Sequence, residues 1–111
     1  MTIGDLEQVI LLALARYEGE THGAAVALEI EARTGRVVAP GALYTVLERL
    51  QDKGLVESWI GDSTPERGGR RRKEYRLTPA GARSLQVWYS GIRELADGVH
   101  ARLDALAQQA G

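Results

Sequence analysis

Six cations fall within ten residues of this chain: Arg67, Arg70, Arg71, Arg72, Lys73 and Arg76, with Gly68-Gly69 interrupting them. Guanidinium groups at that density are built to meet oxyanions, because the planar fork of arginine can engage two phosphate oxygens at once. A Gly-Gly tip carrying such groups suits backbone phosphates or a narrow groove of high negative potential. Other chemistries lack their residues. The chain has no Cys, which excludes disulfides, thiolate zinc sites and thiol nucleophiles. His22 and His100 stand far apart with no ligand cluster around them, so no metal and no cofactor is expected. No Ser/His/Asp set, phosphate-cradling glycine loop or paired-carboxylate motif occurs, and an enzyme is not expected.

Net charge, at −1, conceals an uneven distribution. Residues 1–35 carry 2 basic and 6 acidic side chains (−4), residues 36–76 carry 9 and 6 (+3), and residues 77–111 balance at 3 and 3. Attraction to a polyanion depends on the patch within a Debye length, roughly 8–10 Å, more than on the whole-chain sum. The middle third is therefore the expected binding region.

The elements that must position it follow from periodicity. Residues 5–17 read as a helix, apolar nearly all round, with Leu6, Ile10, Ala13, Leu14 and Tyr17 on one stripe. Thr21 is expected to cap a second helix through Thr34, closed by Gly35. Pro40 opens a third, over residues 40–53, whose inner stripe is Leu43, Val46, Leu47 and Leu50; Gly54 ends it and Leu55 folds back on Leu50. The period then changes to that of strands at 55–60 and 73–77, flanking the polar loop 61–72 to make a β-hairpin, with Trp59 and Tyr75 on its core side. Thr78-Pro79 starts a last helix bearing Leu85, Trp88, Ile92, Leu95, Val99 and Leu106, close to a heptad seam. As one helix of about 30 residues it would run roughly 45 Å, too long for a small domain to cover alone, with Gly91 and Gly98 as places to bend.

Helix, helix, helix, β-hairpin, long helix is the order of a winged helix-turn-helix. The expected class is mainly α with a β-hairpin wing: a winged-helix domain over residues 1–78 and a dimerisation helix over 79–111. A helix-turn-helix places its second helix in the major groove. There the surface opposite the inner stripe presents Pro40, Gly41, Ala42, Tyr44, Thr45 and Arg49. The small leading residues allow close approach, Thr45 can meet base edges, and Tyr44 can donate to a phosphate. Arg67, Arg70, Arg71, Arg72 and Lys73 of the wing would hold flanking phosphates. A two-fold homodimer through Leu6, Ile10, Leu85, Trp88, Ile92, Leu95 and Val99 would require an inverted-repeat operator, with half-sites about 10 base pairs apart.

The stretch Pro40-Gly-Ala-Leu-Tyr-Thr-Val-Leu-Glu-Arg-Leu-Gln-Asp-Lys-Gly-Leu-Val56 resembles the recognition-helix motif of the PadR family of transcriptional regulators. Gly69-Arg-Arg-Arg-Lys-Glu-Tyr-Arg-Leu-Thr-Pro-Ala-Gly81 is similar to that family's wing strand and fourth-helix start, and Leu11-Leu-Ala-Leu14 and His22-Gly23 fit its order. The resemblance covers about residues 5–85 and implies a compact, dimeric member. It also implies a repressor, in some members released by small aromatic or drug-like molecules. The chain departs from the pattern at Ala24, where an aromatic is frequent, and at Ala39, where Ser or Thr commonly caps the recognition helix. Family members that stack a drug on a last-helix Trp have it where Ile92 stands here, with Trp88 one turn earlier. Drug binding by stacking therefore does not carry over, and a small hydrophobic effector is expected instead between paired last helices near Trp88, Tyr89 and Ile92. With no export signal or membrane-length apolar run, cytoplasmic placement is expected. The alternative is a winged-helix protein–protein adaptor that keeps the fold and binds an acidic partner through the wing.

Overall fold

The computed structural model describes residues 4–61 and 72–110. In chain order they form α1 (Asp5–Leu14), β1 (Thr21–His22), α2 (Gly23–Thr34), α3 (Pro40–Asp52), β2 (Val56–Ile60), β3 (Lys73–Leu77), α4 (Pro79–Ala96) and α5 (His100–Gln109). The near-continuous apolarity of α1 is explained by its place: it packs against α2, α3, α4 and β3 together. Around it the core collects Val26 and Ile30 of α2, Leu43, Val46, Leu47 and Leu50 of α3, and Leu55, Val56, Tyr75 and Leu85.

Local signals set the helix ends. Beyond α3, Gly54 takes φ 76°. The Leu55 N–H donates to the Leu50 carbonyl (2.9 Å) and the Gly54 N–H to that of Gln51 (2.9 Å), the paired bonds of a Schellman motif. At the start of α4, Thr78 Oγ1 accepts from the Gly81 N–H at 3.0 Å, a side-chain cap ahead of Pro79. By contrast α3 begins on Ala39 with no side-chain cap.

Three expectations change. Thr21 does not cap α2; it is buried in β1, which adds a third antiparallel strand in the order β1-β3-β2 and pairs Thr21 with Tyr75 and His22 with Glu74. This two-residue bridge occupies the edge of β3 that the hairpin alone would leave open. The second change concerns Trp59. Ser58 lies opposite Tyr75, and Val56 opposite Leu77, on the core face; Trp59 pairs with Glu74 and so belongs to the outer face. The third is the last helix, which is two helices. Asp97 leaves helical conformation at ψ 128° and Gly98 takes φ 74°, so α4 ends and α5 restarts after Val99.

No residue of α5 is buried, and the protein is drawn out to 55 × 32 × 24 Å. Its radius of gyration of 16.7 Å exceeds the roughly 13 Å of a sphere-like chain of about this length. Leu85 lies in the core, so the first turns of α4 pack with the winged helix, and only the later ones project. Among the described residues no helix is long and apolar enough to cross a membrane.

Candidate nucleic-acid interface

The α2–α3 pair forms the helix-turn-helix. With Leu43, Val46, Leu47 and Leu50 buried, the opposite face of α3 is open along its length: Pro40, Gly41, Ala42, Tyr44, Thr45, Glu48 and Arg49 are all exposed. The expected recognition residues therefore share one surface. Gly41 has nothing within 4 Å of where a Cβ would stand, so the leading end of α3 is bare. A pair links the far end of α3 to α1: Lys53 Nζ to Glu7 Oε2 at 2.7 Å, with both side chains mostly buried. A cation at a helix C-terminus is favoured by the macrodipole, and burial shields the pair from salt.

Beside α3 stands the β2–β3 hairpin. Its described root is closed by the Gly61 N–H donating to the Arg72 carbonyl at 2.7 Å. Arg72 and Lys73 are exposed there. Arg67, Arg70 and Arg71 lie outside the described residues. Arg76, the last of the six cations, is engaged on the outer sheet face, where it pairs with Glu57 and lies 5.1 Å above the Trp59 ring. That contact explains the position of Trp59: its ring is a cation–π platform rather than core.

Three features escape a reading by periodicity. Arg72 Nη1 lies 2.9 Å from His22 Nε2, so the foot of the wing is tied to β1. Gly23, next in the chain, lies under Tyr44: a Cβ there would come within 2.7 Å of Tyr44 Cε1 and 2.9 Å of its hydroxyl oxygen. The His22-Gly23 junction thus touches both the wing and the recognition helix. Third, Glu48 puts a carboxylate on the open face of α3. Tyr75, buried behind that face, has its hydroxyl pKa raised by burial first and then by nearby Tyr44 and Glu48.

The residues expected to pair two subunits divide into two groups. Ile10 has no exposed surface and Leu85 is 7 % exposed, so both belong to the core of the single chain, and Ile10 has nothing to offer a partner. Leu6 and Trp88 pack partly buried against that core. Ile92 at 44 % and Leu95 at 79 % are open, and Tyr89, Leu103 and Leu106 extend the apolar surface along α4 and α5. Val99 is half-buried at the break.

Of the expected effector residues, Tyr89 alone lines a cleft of about 670 Å³ between α1, α2 and α4. Val9, Leu12, Ala13 and Ile30 line its apolar side, and Arg16, Glu29 and Arg33 its rim. There Glu29 accepts from both arginines, and its carboxyl pKa is lowered, chiefly by the Arg33 hydrogen bond.

This arrangement has relatives. The PadR-like family of transcriptional regulators matches residues 10–87. A transcriptional regulator of Mycobacterium tuberculosis is 40% identical over 81 residues, covering 71% of this chain and 69% of that protein. An uncharacterized 37.1 kDa protein in a transposon of Streptomyces fradiae is 37% identical over 86 residues, 78% of this chain; the chain spans 22% of that protein's length. The crystal structure of a PadR family transcription regulator from Clostridium difficile superposes with a TM-score of 0.73 at 25% identity, over 90% of this chain and 99% of that one. The chain belongs to the PadR-like family of transcriptional regulators, a winged-helix class and not an enzyme class.

Proposed function

We propose that this chain is a sequence-specific, homodimeric DNA-binding repressor. The observation that carries the reading is the open face of α3, small-residued at its leading end, standing beside a hairpin rooted on Arg72 and Lys73. Each subunit lays α3 into the major groove, with Pro40, Gly41, Ala42, Tyr44, Thr45 and Arg49 toward the duplex. The wing holds phosphates through Arg72, Lys73 and the preceding Arg67, Arg70 and Arg71. Pairing runs through Tyr89, Ile92 and Leu95 of α4 and Leu103 and Leu106 of α5. Large apolar side chains this exposed support an association surface. Two-fold pairing presents two α3 helices to an inverted repeat about one helical turn apart.

Release follows from a small hydrophobic or aromatic effector seated near Trp88, Tyr89 and Ile92. To act, it must bind the DNA-free spacing of the two recognition helices more tightly than the bound one. The site of action is the cytoplasm, where DNA is reached.

Capturing the genomic fragments that the purified protein retains tests the whole reading. An inverted repeat common to the fragments, protected over both halves, is expected. Fragments without common sequence, or none retained in dilute buffer, would refute it and favour an adaptor that binds protein through the same wing.

A further inference from the structure

Glu48 is out of place on a surface meant for a polyanion. It lies three residues after Thr45 and four after Tyr44, inside the stripe that α3 leaves exposed. Nothing on α3 neutralises it. Its neighbours one turn away are Tyr44, Thr45, Gln51 and Asp52; Gln51 accepts from the Ser58 hydroxyl (2.7 Å), and Lys53 reaches the other way to Glu7. Among the described residues no cation pairs with Glu48. A bare carboxylate facing phosphates is repelled on every sequence unless the groove supplies a donor.

The major groove offers two donors, the N4 amine of cytosine and the N6 amine of adenine. Adenine sets the N7 acceptor beside its amine, and that lone pair repels a carboxylate. Cytosine itself presents only the amine, so a carboxylate is matched to cytosine.

We propose that Glu48 is a specificity-determining residue of this protein, its carboxylate accepting from the N4 amine of one cytosine in each operator half-site. This rests on the DNA-binding reading above and adds a base to it. Glu48 favours one sequence partly by penalising the others, since at any other base its charge remains uncompensated.

The test is binding-site selection from a randomised duplex pool by the full-length wild type, Glu48→Ala and Glu48→Gln, with far-UV circular dichroism confirming that each is folded. The wild type is expected to recover a motif holding one cytosine column per half-site, with roughly 5- to 150-fold preference over other bases. In Glu48→Ala that column flattens while the others persist, and affinity for random duplex rises. Glu48→Gln moves the same column toward adenine, which an amide side chain matches at N6 and N7. If wild type and Glu48→Ala recover the same motif column for column, the inference is overturned and the DNA-binding reading stands. If the wild type recovers no motif, the DNA-binding reading falls and the inference with it.

Discussion

Replacing Gly81 by Ala puts two known effects in opposition, and the structure decides which prevails. Gly81 is in the first turn of α4, where alanine is favoured over glycine by about 1 kcal/mol. The added Cβ, however, would stand 2.1 Å from the Leu55 carbonyl oxygen and 2.8 Å from Leu77 Cδ1, where real Cβ atoms essentially never approach within 3.0 Å. The nearer atom is backbone, so α4 must withdraw by about an ångström. That withdrawal strains the Thr78 N–H bond to the same Leu55 carbonyl (3.1 Å) and the Thr78 hydroxyl bond to Gly54 (2.7 Å), each worth about 1 kcal/mol net. It also loosens Leu85 in the core, and overpacking of this kind costs about 1–3 kcal/mol. The net loss expected is about 2–4 kcal/mol, a fall in Tm of roughly 10–25 °C for a domain of this size. Urea unfolding followed by Trp fluorescence, at fixed protomer concentration, measures it. Gly91, further along the same helix, has nothing within 4 Å of its Cβ site, so Gly91→Ala should instead stabilise by about 0.5–1 kcal/mol. A Gly81→Ala protein as stable as wild type would refute the close docking of α4 on the α3–β2 turn. That docking joins the helix-turn-helix to the later turns of α4, where the proposed pairing surface lies.

Gly23→Ala should push the Tyr44 ring from its seat and weaken operator binding by about ten-fold or more, on the scale of one lost contact. The double variant Gly23→Ala/Tyr44→Ala should bind no worse than Tyr44→Ala alone, and additive losses in the cycle would show the two residues to be independent. The proposed pairing surface predicts a wild-type dimer in sedimentation at micromolar concentration and a monomer for Ile92→Glu with Leu95→Glu; a dimeric variant or a monomeric wild type would contradict it. Tyr75 titrates higher folded than unfolded, so its protonated form contributes stability below its unfolded pKa of about 10, and that contribution is lost as pH rises through the higher folded value. Alkaline unfolding should therefore be blunted in Tyr75→Phe relative to wild type, and identical pH profiles would contradict the burial of that hydroxyl.

Much of the fold is legible in the sequence, and the exceptions have physical reasons. Signals confined to a few neighbouring residues were readable: Pro40 and Gly54 bracket α3, and Thr78-Pro79 starts α4. β1 was not, because two residues carry no period and its partner β3 lies more than fifty positions away. The last helix looked continuous because Gly91 and Gly98 are alike in sequence. Gly98 alone takes a left-handed φ, and the break falls there. Amphipathic spacing shows that a face is buried but not by what, so it points Ile10 to a partner although Ile10 belongs to the core. Glu48 is not legible that way, because the pattern of cations says nothing of an acidic side chain on the same face.

The claim beneath all of this is that α3 and the arginine-bearing wing bind a duplex together through its phosphates and bases. Its most direct test is the affinity of the purified protein for its captured operator across a series of salt concentrations, beside the variant Arg70→Ala/Arg71→Ala/Arg72→Ala. The account predicts a log–log slope falling by about 0.9 per phosphate neutralised, and a shallower slope for the variant by about 0.9 for each of those arginines in each subunit. Equal slopes for the two proteins would remove the wing from the interface, and no binding even in dilute salt would contradict the account as a whole.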